Sequence, residues 1–426
     1  MAFHANTEWD VRTTGNDANG GGFQVGSTGT DRSQQDAAYI AFTDLVIDHT
    51  TNTKITSSAN PFDATSVGNV INITGGTGFT VQRVQIVSVA SAVATCDKAV
   101  GTIDSTGGTG NLGGAVANFG TISSLMVNGN TAWIQTGTYT ITATYTIGSN
   151  MAGNALGYIR GYVSTHGDAT AGDDRPLITS ATDSVVLITL SASSNPVLTF
   201  RDLRLSHTAD TRGDGISRST GSSKANLQNV TITGCRDGLQ VTNNAIVRNS
   251  EFGDCTRYGL NVSHITAFGN YIYGCATSGV NVAAAANNVD ISRNLIVGNA
   301  VGVTTGALQG GCPLIADNTI ALNTSHALSL SDETGPTVYD LENNIIYGNG
   351  GYGVNAAATC WVIPGTNAFG DNDSGDWHAS AVKLVAGSDI ALSADPFTDS
   401  ANDDYSLNND AGGGAACRNA GFQWGV

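Results

Sequence analysis

The stretch that decides the fold runs from Leu227 to Asn355 and opens with LQNVTITGCRDGLQVTNNAIVRNSEFGDC (residues 227–255). It is a repeat whose copies are headed by a cysteine or an asparagine. The heads follow one another at intervals of 20, 20, 24, 24 and 26 residues: Cys235, Cys255, Cys275, Asn299, Asn323 and Asn349. A second asparagine stands five residues before each of the last four heads: Asn270, Asn294, Asn318 and Asn344. Repeats of this length, with short apolar stretches and Gly or Asn corners, indicate stacked rungs of parallel strands.

The physics of such a stack supports the interpretation. Alternating strand positions place aliphatic side chains inside and polar ones outside, and a rung buries its apolar face only against its neighbours. Rungs lie about 4.8 Å apart, so equivalent asparagines should stack with each side-chain amide bonded to the next. Dense Gly, Asn, Thr and Val argue against helical repeats. The predicted fold class is therefore all-β, a right-handed parallel β-helix (solenoid) with a small N-terminal β module.

Composition and charge argue against two classes of function, nucleic-acid binding and membrane insertion. The chain has 426 residues, of which 54 are glycine, and 12 % are charged, about half the usual share. A net charge of −17 speaks against binding nucleic acid through its phosphates. No run is hydrophobic enough for a membrane span and no signal peptide opens the chain, so we expect neither nucleic acid nor membrane insertion.

The seven cysteines lack CxxC pairs, which argues against zinc, and we predict no cofactor and no metal site. Cys235, Cys255 and Cys275 share one position in successive rungs. They should form an inward-facing column of buried, unpaired thiols, since free cysteine packs as a small hydrophobe. This suits assembly in a reducing cytoplasm.

The chain divides into four predicted segments. Residues 1–43 are an arm or cap whose aromatic residues dock either on its own solenoid or on a partner. Residues 44–116 are a small β module of short strands separated by Gly- and Pro-containing breakers. The β-helix occupies 117–365, and 366–426 hold the C-terminal rungs and a cap, which solenoids need.

The regular rungs and the strand–corner–strand stretch Trp133–Tyr139 resemble the pectate-lyase-like parallel β-helix superfamily over roughly residues 117–400. The front end is similar to bacteriophage virion β-helix proteins of the tailspike, fibre or capsid-attached type. That second resemblance rests on four stretches: Thr13–Phe23, Asp31–Ala37, Pro61–Ile71 and Gly107–Gly114. It implies a virion component assembled in the host cytoplasm. The superfamily itself implies no activity, because function depends on sites carried by the fold.

Polar clusters in the sequence are the candidates for chemistry. Enzymes of this superfamily cut polysaccharides with calcium and a base or with paired carboxylates. Two loops mix acidic and basic residues: His207, Asp210, Arg212 and Asp214, and His166, Asp168, Asp173, Asp174 and Arg175. Solvated turns explain both loops better. The rung faces between Asn229 and Asn355 are judged poor in carboxylates, which counts against a cleft enzyme.

Two further features resemble binding sites, but a purely structural role is favoured for each. Asp371–Asp376 resembles a calcium loop but lacks the closing bidentate Glu, so a surface turn is favoured. Trp361, Trp377 and His378 could be a sugar platform, but cap core is favoured.

From the sequence we therefore expect no catalytic, cofactor-binding or metal residues. The expected function is a non-enzymatic structural component of a phage particle, a homotrimer joined to other virion proteins through its N-terminal part. The alternative is a tailspike that binds or depolymerises host-surface polysaccharide by lyase or hydrolase chemistry. A secreted bacterial β-helix enzyme is a third class.

Overall fold

The computed structural model describes residues 3–148, 150–151, 156–190, 197–209, 212–218, 224–283, 288–306, 308, 311–331, 337–386 and 388–418. The fold is all-β: a parallel β-solenoid with a small N-terminal β-barrel and almost no helix. This confirms the predicted fold class. The chain forms two compact units, the first made of residues 1–179 and 188–204 and the second of residues 180–187 and 205–426. Within the described residues, no helix is long and apolar enough to cross a membrane. The four predicted segment boundaries stay predictions.

The first unit contains the barrel and the first parallel strands. The barrel strands are β3 (Ile40–Ile47), β4 (Lys54–Thr56), β5 (Val70–Gly75), β6 (Gln82–Ala90), β7 (Val93–Cys96) and β8 (Ser105–Leu112), closed in the order β3-β4-β7-β6-β5-β8. The other elements are β1 (Thr7–Val11), β2 (Gly22–Gln24), α1 (Gly120–Ser123), β9 (Thr131–Gln135), β10 (Thr138–Thr140), β11 (Tyr145–Ile147), β12 (Leu156–Tyr162), β13 (Leu177–Ser180), β14 (Ile188–Leu190) and β15 (Val197–His207). Single 3₁₀ turns occupy His49–Thr51, Ala64–Ser66 and Gly172–Asp174.

Strand β1 begins the parallel stack of the first unit. It pairs antiparallel with β2 and parallel with β9, and β9 pairs parallel with β12. Trp9 on β1 is fully buried, and its indole Nε1 donates a hydrogen bond to Asn130 Oδ1 at 3.2 Å. The N-terminal residues are thus part of the packed core of this unit.

The second unit contains the regular rungs. Its strands are β16 (Ile216–Arg218), β17 (Lys224–Thr233), β18 (Asp237–Arg248), β19 (Glu251–Gly253), β20 (Tyr258–Phe268), β21 (Tyr271–Tyr273), β22 (Ser278–Val282), β23 (Val289–Ser292), β24 (Leu295–Val297), β25 (Val301–Thr305), β26 (Leu314–Ala316), β27 (Thr319–Ala321), β28 (Leu328–Leu330), β29 (Thr337–Glu342), β30 (Ile345–Tyr347), β31 (Tyr352–Ala356), β32 (Cys360–Pro364), β33 (Ala368–Gly370), β34 (Gly375–Trp377), β35 (Val382–Lys383), β36 (Ile390–Ala391), β37 (Phe397–Asp399) and β38 (Asp404–Leu407). A 3₁₀ turn (Ser400–Asn402) joins the last two strands, and α2 (Gly414–Arg418) follows.

Parallel pairing from rung to rung makes three sheets. Sheet I contains β17, β18, β20, β23, β26, β29, β32 and β35. Sheet II contains β17, β19, β21, β24, β27, β30, β33 and β36. Sheet III contains β16, β18, β20, β22, β25, β28, β31 and β34.

Residues in the left-handed region turn the chain between the sheets. The bend from sheet I to sheet II uses Asn229, Asn249, Gly269, Arg293, Asp317 and Asn343, all at positive φ. Asn, Asp and Gly adopt this region at the lowest cost, which explains their density at the corners.

The predicted asparagine ladder is confirmed, and there are two of them. In the first, the side-chain amide of each asparagine donates to the side-chain oxygen of the next, along Asn270, Asn294, Asn318, Asn344 and Asn367. The second runs through Asn299, Asn323, Asn349 and Asn372 in the same way.

The predicted cysteine column is also buried. Cys235, Cys255 and Cys275 are at most 1 % exposed, and each Sγ donates to the backbone carbonyl two residues earlier at 3.5–3.6 Å. Their free thiol state stays a prediction.

The C-terminal segment covers part of the outward face of sheet II. Phe397 of β37 packs with Tyr347 and Leu392 in one apolar cluster, and Tyr405 of β38 joins its edge.

Candidate functional site

The outward face of sheet I carries two rows of side chains that mix polar, charged, aliphatic and aromatic residues. The first row, in register across successive strands, is Asn226, Ile246, Thr266, Asp290, Leu314 and Asp340. The second is Gln228, Arg248, Phe268, Ser292, Ala316 and Glu342. Successive residues of a strand point to opposite sides of the sheet, so the residues that alternate with these two rows point into the core.

Two carboxylates stand together on β29. Asp340 and Glu342 are two positions apart, on either side of fully buried Leu341, and so share the outward face. Burial raises the pKa of Asp340. Burial also raises the pKa of Glu342, and the charges of Asp340 and Asp317 add to this rise. Interaction between the two carboxyls raises the pKa of Glu342 and opposes the rise in the pKa of Asp340, so Glu342 is the favoured site when the two share a proton.

A third carboxylate lies two strands away in the same row. Asp290 on β23 accepts a hydrogen bond from the Ser292 hydroxyl. Only Leu314 separates Asp290 from Asp340 in register, so their backbones are about 10 Å apart at the usual strand spacing. The face thus carries a carboxyl pair with raised pKa values and, two strands away beyond Leu314, a separate carboxyl group.

Aromatic and cationic groups flank these carboxylates. The guanidinium of Arg293 lies 5.2 Å from the ring centroid of Phe268 and its Nε is 3.6 Å from Asp317 Oδ2. On the other side Trp361, on the neighbouring strand β32, is 39 % exposed. An exposed indole beside a row of carboxylates is a platform on which a sugar ring could stack.

The opposite end of the face has a small polar pocket of about 200 Å³. Lys224, Asn244 and His264 line it, together with Asn288. The Nδ1 atom of His264 is buried and has no hydrogen-bond partner among the described residues. A ligand hydroxyl group could satisfy it.

The described residues of the loop around His207 do not form an acid–base cluster. Asp210 lies outside the described residues. Nε2 of His207 lies 3.1 Å from the Val185 carbonyl and Nδ1 accepts from the Ala209 amide, so both ring nitrogens are engaged. Asp214 is 1 % exposed and forms a bidentate pair with Arg236 at 2.9 Å. Arg212 donates to the Asp254 carbonyl at 3.0 Å.

The loop around His166, in the first unit, has mainly local partners. Asp168 accepts from three backbone amides of the loop, Asp173 pairs with Arg204, and Arg175 donates to the Gly172 carbonyl. Asp174 is exposed. These contacts shape the loop itself and do not gather its acids around the histidine.

His166 itself joins a network at β1. Its Nε2 lies 2.7 Å from Oδ2 of fully buried Asp10, which also accepts from the Tyr162 hydroxyl and from Arg12. Its ring stacks on Trp133 with centroids 4.7 Å apart. Burial alone would lower the pKa of His166, but the hydrogen bonds to Asp10 and Glu8 outweigh it and raise the pKa. His166 lies between the carboxylates of Glu8 and Asp10 and so ties the loop to the first strand.

The other predicted candidates, the Asp371–Asp376 loop and the residues Trp361, Trp377 and His378, have different surroundings. In the Asp371–Asp376 loop, Asp376 accepts from Asn372 Nδ2 at 3.2 Å. Trp377 is partly buried, with Nε1 donating to Asp389, and His378 lies 4.8 Å from the Tyr352 ring. Trp361 belongs to the exposed surface of sheet I and not to a cap core.

One group has metal-ligand spacing. The ligand atoms of Asp48, His49 and Asp104 lie within 4.8 Å of one another on the barrel, and all three residues are exposed. His49 Nδ1 is 2.8 Å from Asp104 Oδ1, which makes an ion pair the simplest explanation.

The rung faces, predicted to be poor in carboxylates, carry three on the outward face of sheet I. Asp290, Asp340 and Glu342 all face outward from sheet I. The signal was present in Asp290-Ile291-Ser292 and Asp340-Leu341-Glu342, where a buried aliphatic residue separates two outward positions. The regular 20- to 26-residue repeat marks the corners and not these outward positions.

Comparison with known proteins agrees with the fold. Residues 180–312 match the family model described as "Right handed beta helix region". No curated protein shows a significant match to the chain.

Two similar solved structures are carbohydrate-active. A periplasmic alginate epimerase is 13 % identical, with a TM-score of 0.37 and coverage of 66 % of this chain and 84 % of that one. The catalytic unit of a thermostable α-1,3-glucanase from Streptomyces thermodiastaticus is 12 % identical, with a TM-score of 0.30 and coverage of 84 % and 89 %.

The expectation that the chain is not an enzyme is corrected by this finding, since both of these similar structures are enzymes. At such low identity and TM-score they say nothing of the reaction or substrate here. Any reaction of this chain depends on its own residues, among which those of sheet I are the candidates.

Proposed function

We propose that this chain hydrolyses a glycosidic bond of a polysaccharide bound along the outward face of sheet I. The observation that carries the proposal is the arrangement of Glu342, Asp340 and Asp290. Burial and the charge of Asp340 raise the pKa of Glu342, which favours its acid form, and Asp290 lies two strands from this pair on the same face. Two carboxyls in different environments are the requirement of glycoside hydrolysis.

In the proposed reaction, the Asp340–Glu342 pair supplies the general acid and Asp290 is the general base. Glu342 donates its proton to the leaving glycosidic oxygen, and Asp340 stabilises that proton before transfer. Asp290 takes a proton from a water molecule that attacks the anomeric carbon from the opposite face. The backbones of Glu342 and Asp290 are about 12 Å apart, two strand spacings in one direction and two residues in the other. Side chains that lean towards each other from this separation can bring the carboxyls to the roughly 6.5–9.5 Å that inverting enzymes use. The expected product therefore has inverted anomeric configuration.

Charge indicates the substrate class. The chain carries a net charge of −17, and the outward face of sheet I adds carboxylates around the proposed reaction centre. A polyuronate would be repelled, so a neutral polysaccharide fits better. Trp361 would stack on one of its sugar rings.

The test is hydrolysis by the full chain of a panel of neutral polysaccharides, with reducing ends measured. We expect Glu342→Gln and Asp290→Asn each to lower the rate by about 10²- to 10⁴-fold, the usual contribution of an acid or base group. Asp373→Asn, an exposed carboxylate outside sheet I, is the matched control and should keep the rate. A wild-type chain that releases no reducing ends, or a Glu342→Gln variant as active as the control, would refute the proposal.

The setting we propose is a tailspike on a phage particle. The support is the resemblance of Thr13–Phe23 and Gly107–Gly114 to virion proteins. In the first unit these two stretches join through two backbone hydrogen bonds of 2.9 Å, from Gly20 and Gly21 to the carbonyls of Gly113 and Gly114. The N-terminal part would attach to other virion proteins, and the solenoid would reach host-surface glycan as a homotrimer. A stable monomer in sedimentation at micromolar concentration would contradict the trimer.

A further inference from the structure

A groove on the outward side of sheet II has a different chemistry from sheet I. It has a volume of about 360 Å³ and lies between β21 and the turn that leads into β38. Tyr271 and Tyr273 form one wall, with ring centroids 4.5 Å apart, and Tyr405 and Asp403 come from the C-terminal segment. The apolar cluster that anchors this segment holds Tyr405 in place, since Phe397 packs edge-on against its ring at 5.3 Å. Both walls of the groove are therefore built on packed structure.

Three carboxylates surround these tyrosines. Burial raises the pKa of Tyr271 to about 12, and the charges of Asp403, Glu251 and Asp254 contribute to the rise. Glu251 Oε1 accepts a hydrogen bond from the Tyr273 hydroxyl at 2.9 Å, and its Oε2 accepts from Thr231 at 3.1 Å. The acidic side chain is thus held beside the rings.

Cations of the chain do not neutralise this acidic charge. Among the residues that the structure describes, Glu251, Asp254 and Asp403 form no ion pair within 4.0 Å. Arg212 donates to the backbone carbonyl of Asp254 rather than to its carboxylate. The carboxylates at the groove are therefore not in an ion pair within the described residues.

We propose that this groove binds a sugar that carries a free ammonium group, such as a glucosamine residue of a deacetylated amino-sugar polymer. Tyrosine rings accept the apolar face of a pyranose and attract a cation through their π-faces. The unneutralised carboxylates attract the same ammonium group by charge, and the attraction weakens as salt screens it. A neutral sugar would gain the ring contact alone, and an anionic sugar would be repelled.

The groove lies on sheet II and uses none of the carboxylates proposed for hydrolysis. Binding here is therefore independent of the activity of sheet I. Either proposal can fail without the other.

Calorimetric titration with three tetrasaccharides tests the inference. Fully deacetylated chitotetraose carries an ammonium on each ring, its N-acetylated form has none, and cellotetraose has the same linkage without nitrogen. We expect the deacetylated tetramer to bind at least about tenfold more tightly than the other two at low salt, because only it satisfies the carboxylates. Equal affinity for all three, or no binding of the deacetylated tetramer, would overturn the proposal.

Two variants locate the binding. Asp403 has φ 62°, which asparagine also tolerates, so Asp403→Asn removes the charge and keeps the backbone. Asp371→Asn makes the same change at φ 53° outside the groove and is the matched control. Asp403→Asn and Tyr271→Leu should each weaken binding of the deacetylated tetramer about tenfold, and the control should not. An equal effect of Asp371→Asn would show that only net charge matters and would refute the site.

Discussion

The first asparagine ladder predicts a large loss of stability when one member is removed. The side chain of Asn318 is 1 % exposed. Its Nδ2 donates to the Ile291 carbonyl at 2.7 Å and to Asn344 Oδ1 at 3.0 Å. Its Oδ1 accepts from the backbone amide of Asn294 at 2.9 Å and from the side-chain amide of Asn294 at 3.0 Å. Asn318→Ala removes all four bonds.

The cost follows from the groups left behind. In the variant, Asn344 Oδ1 still accepts a hydrogen bond from the backbone amide of residue 318, at 3.1 Å. The Asn294 side-chain amide still donates to the carbonyls of Ala267 and Ser292. The Asn294 backbone amide and the Ile291 carbonyl lose these partners inside the core. Each unsatisfied buried group costs about 1–3 kcal/mol, so the free energy of unfolding should fall by about 4 kcal/mol.

Urea unfolding followed by circular dichroism measures this change, and hydrogen exchange of the Asn294 amide shows where it acts. A solenoid unfolds as coupled neighbouring repeats, so the loss should be greatest in the rungs beside the substitution. Asn355→Ala, a partly exposed asparagine on sheet III, is the control and should change stability by less than about 0.5 kcal/mol. A loss for Asn318→Ala no larger than that of the control would refute the reasoning.

Two further predictions concern titratable groups. In the native protein a thiol reagent should react first with exposed Cys312, and the protein denatured without reductant should yield most of its seven thiols; recovery of one or none would contradict the buried free column. His166 has a raised pKa, so it binds its proton more tightly when folded, and its stabilisation is complete below about pH 6.5 and lost as pH rises through the folded pKa. Thermal unfolding between pH 6 and pH 9 should show this fall and His166→Gln should flatten it; an equal fall in the variant would exclude His166 as the cause.

The fold was predictable because its information is local and repeated. Each corner needs a residue that tolerates positive φ, and each buried position after it needs a small or amide side chain, as at Arg293-Asn294 and Asp317-Asn318. Repetition makes such a pattern visible even where one corner uses an unfavourable residue, as Leu322 does at φ 55°. The 20- to 26-residue period then gives the stack.

The candidate site was not predictable in the same way, because it depends on register between distant rungs. Asp290 and Asp340 are 50 positions apart in the sequence, and only the pairing of β23, β26 and β29 places them in one row. Loops between the strands vary in length, so counting from the repeat heads does not align the outward positions. Clusters such as His207–Asp214 are visible in the sequence because their residues lie close together along the chain. In the structure, however, His207 contacts the backbone and Asp214 pairs with Arg236. In a solenoid, therefore, catalytic pairs should be sought at equal positions of different rungs rather than within one loop.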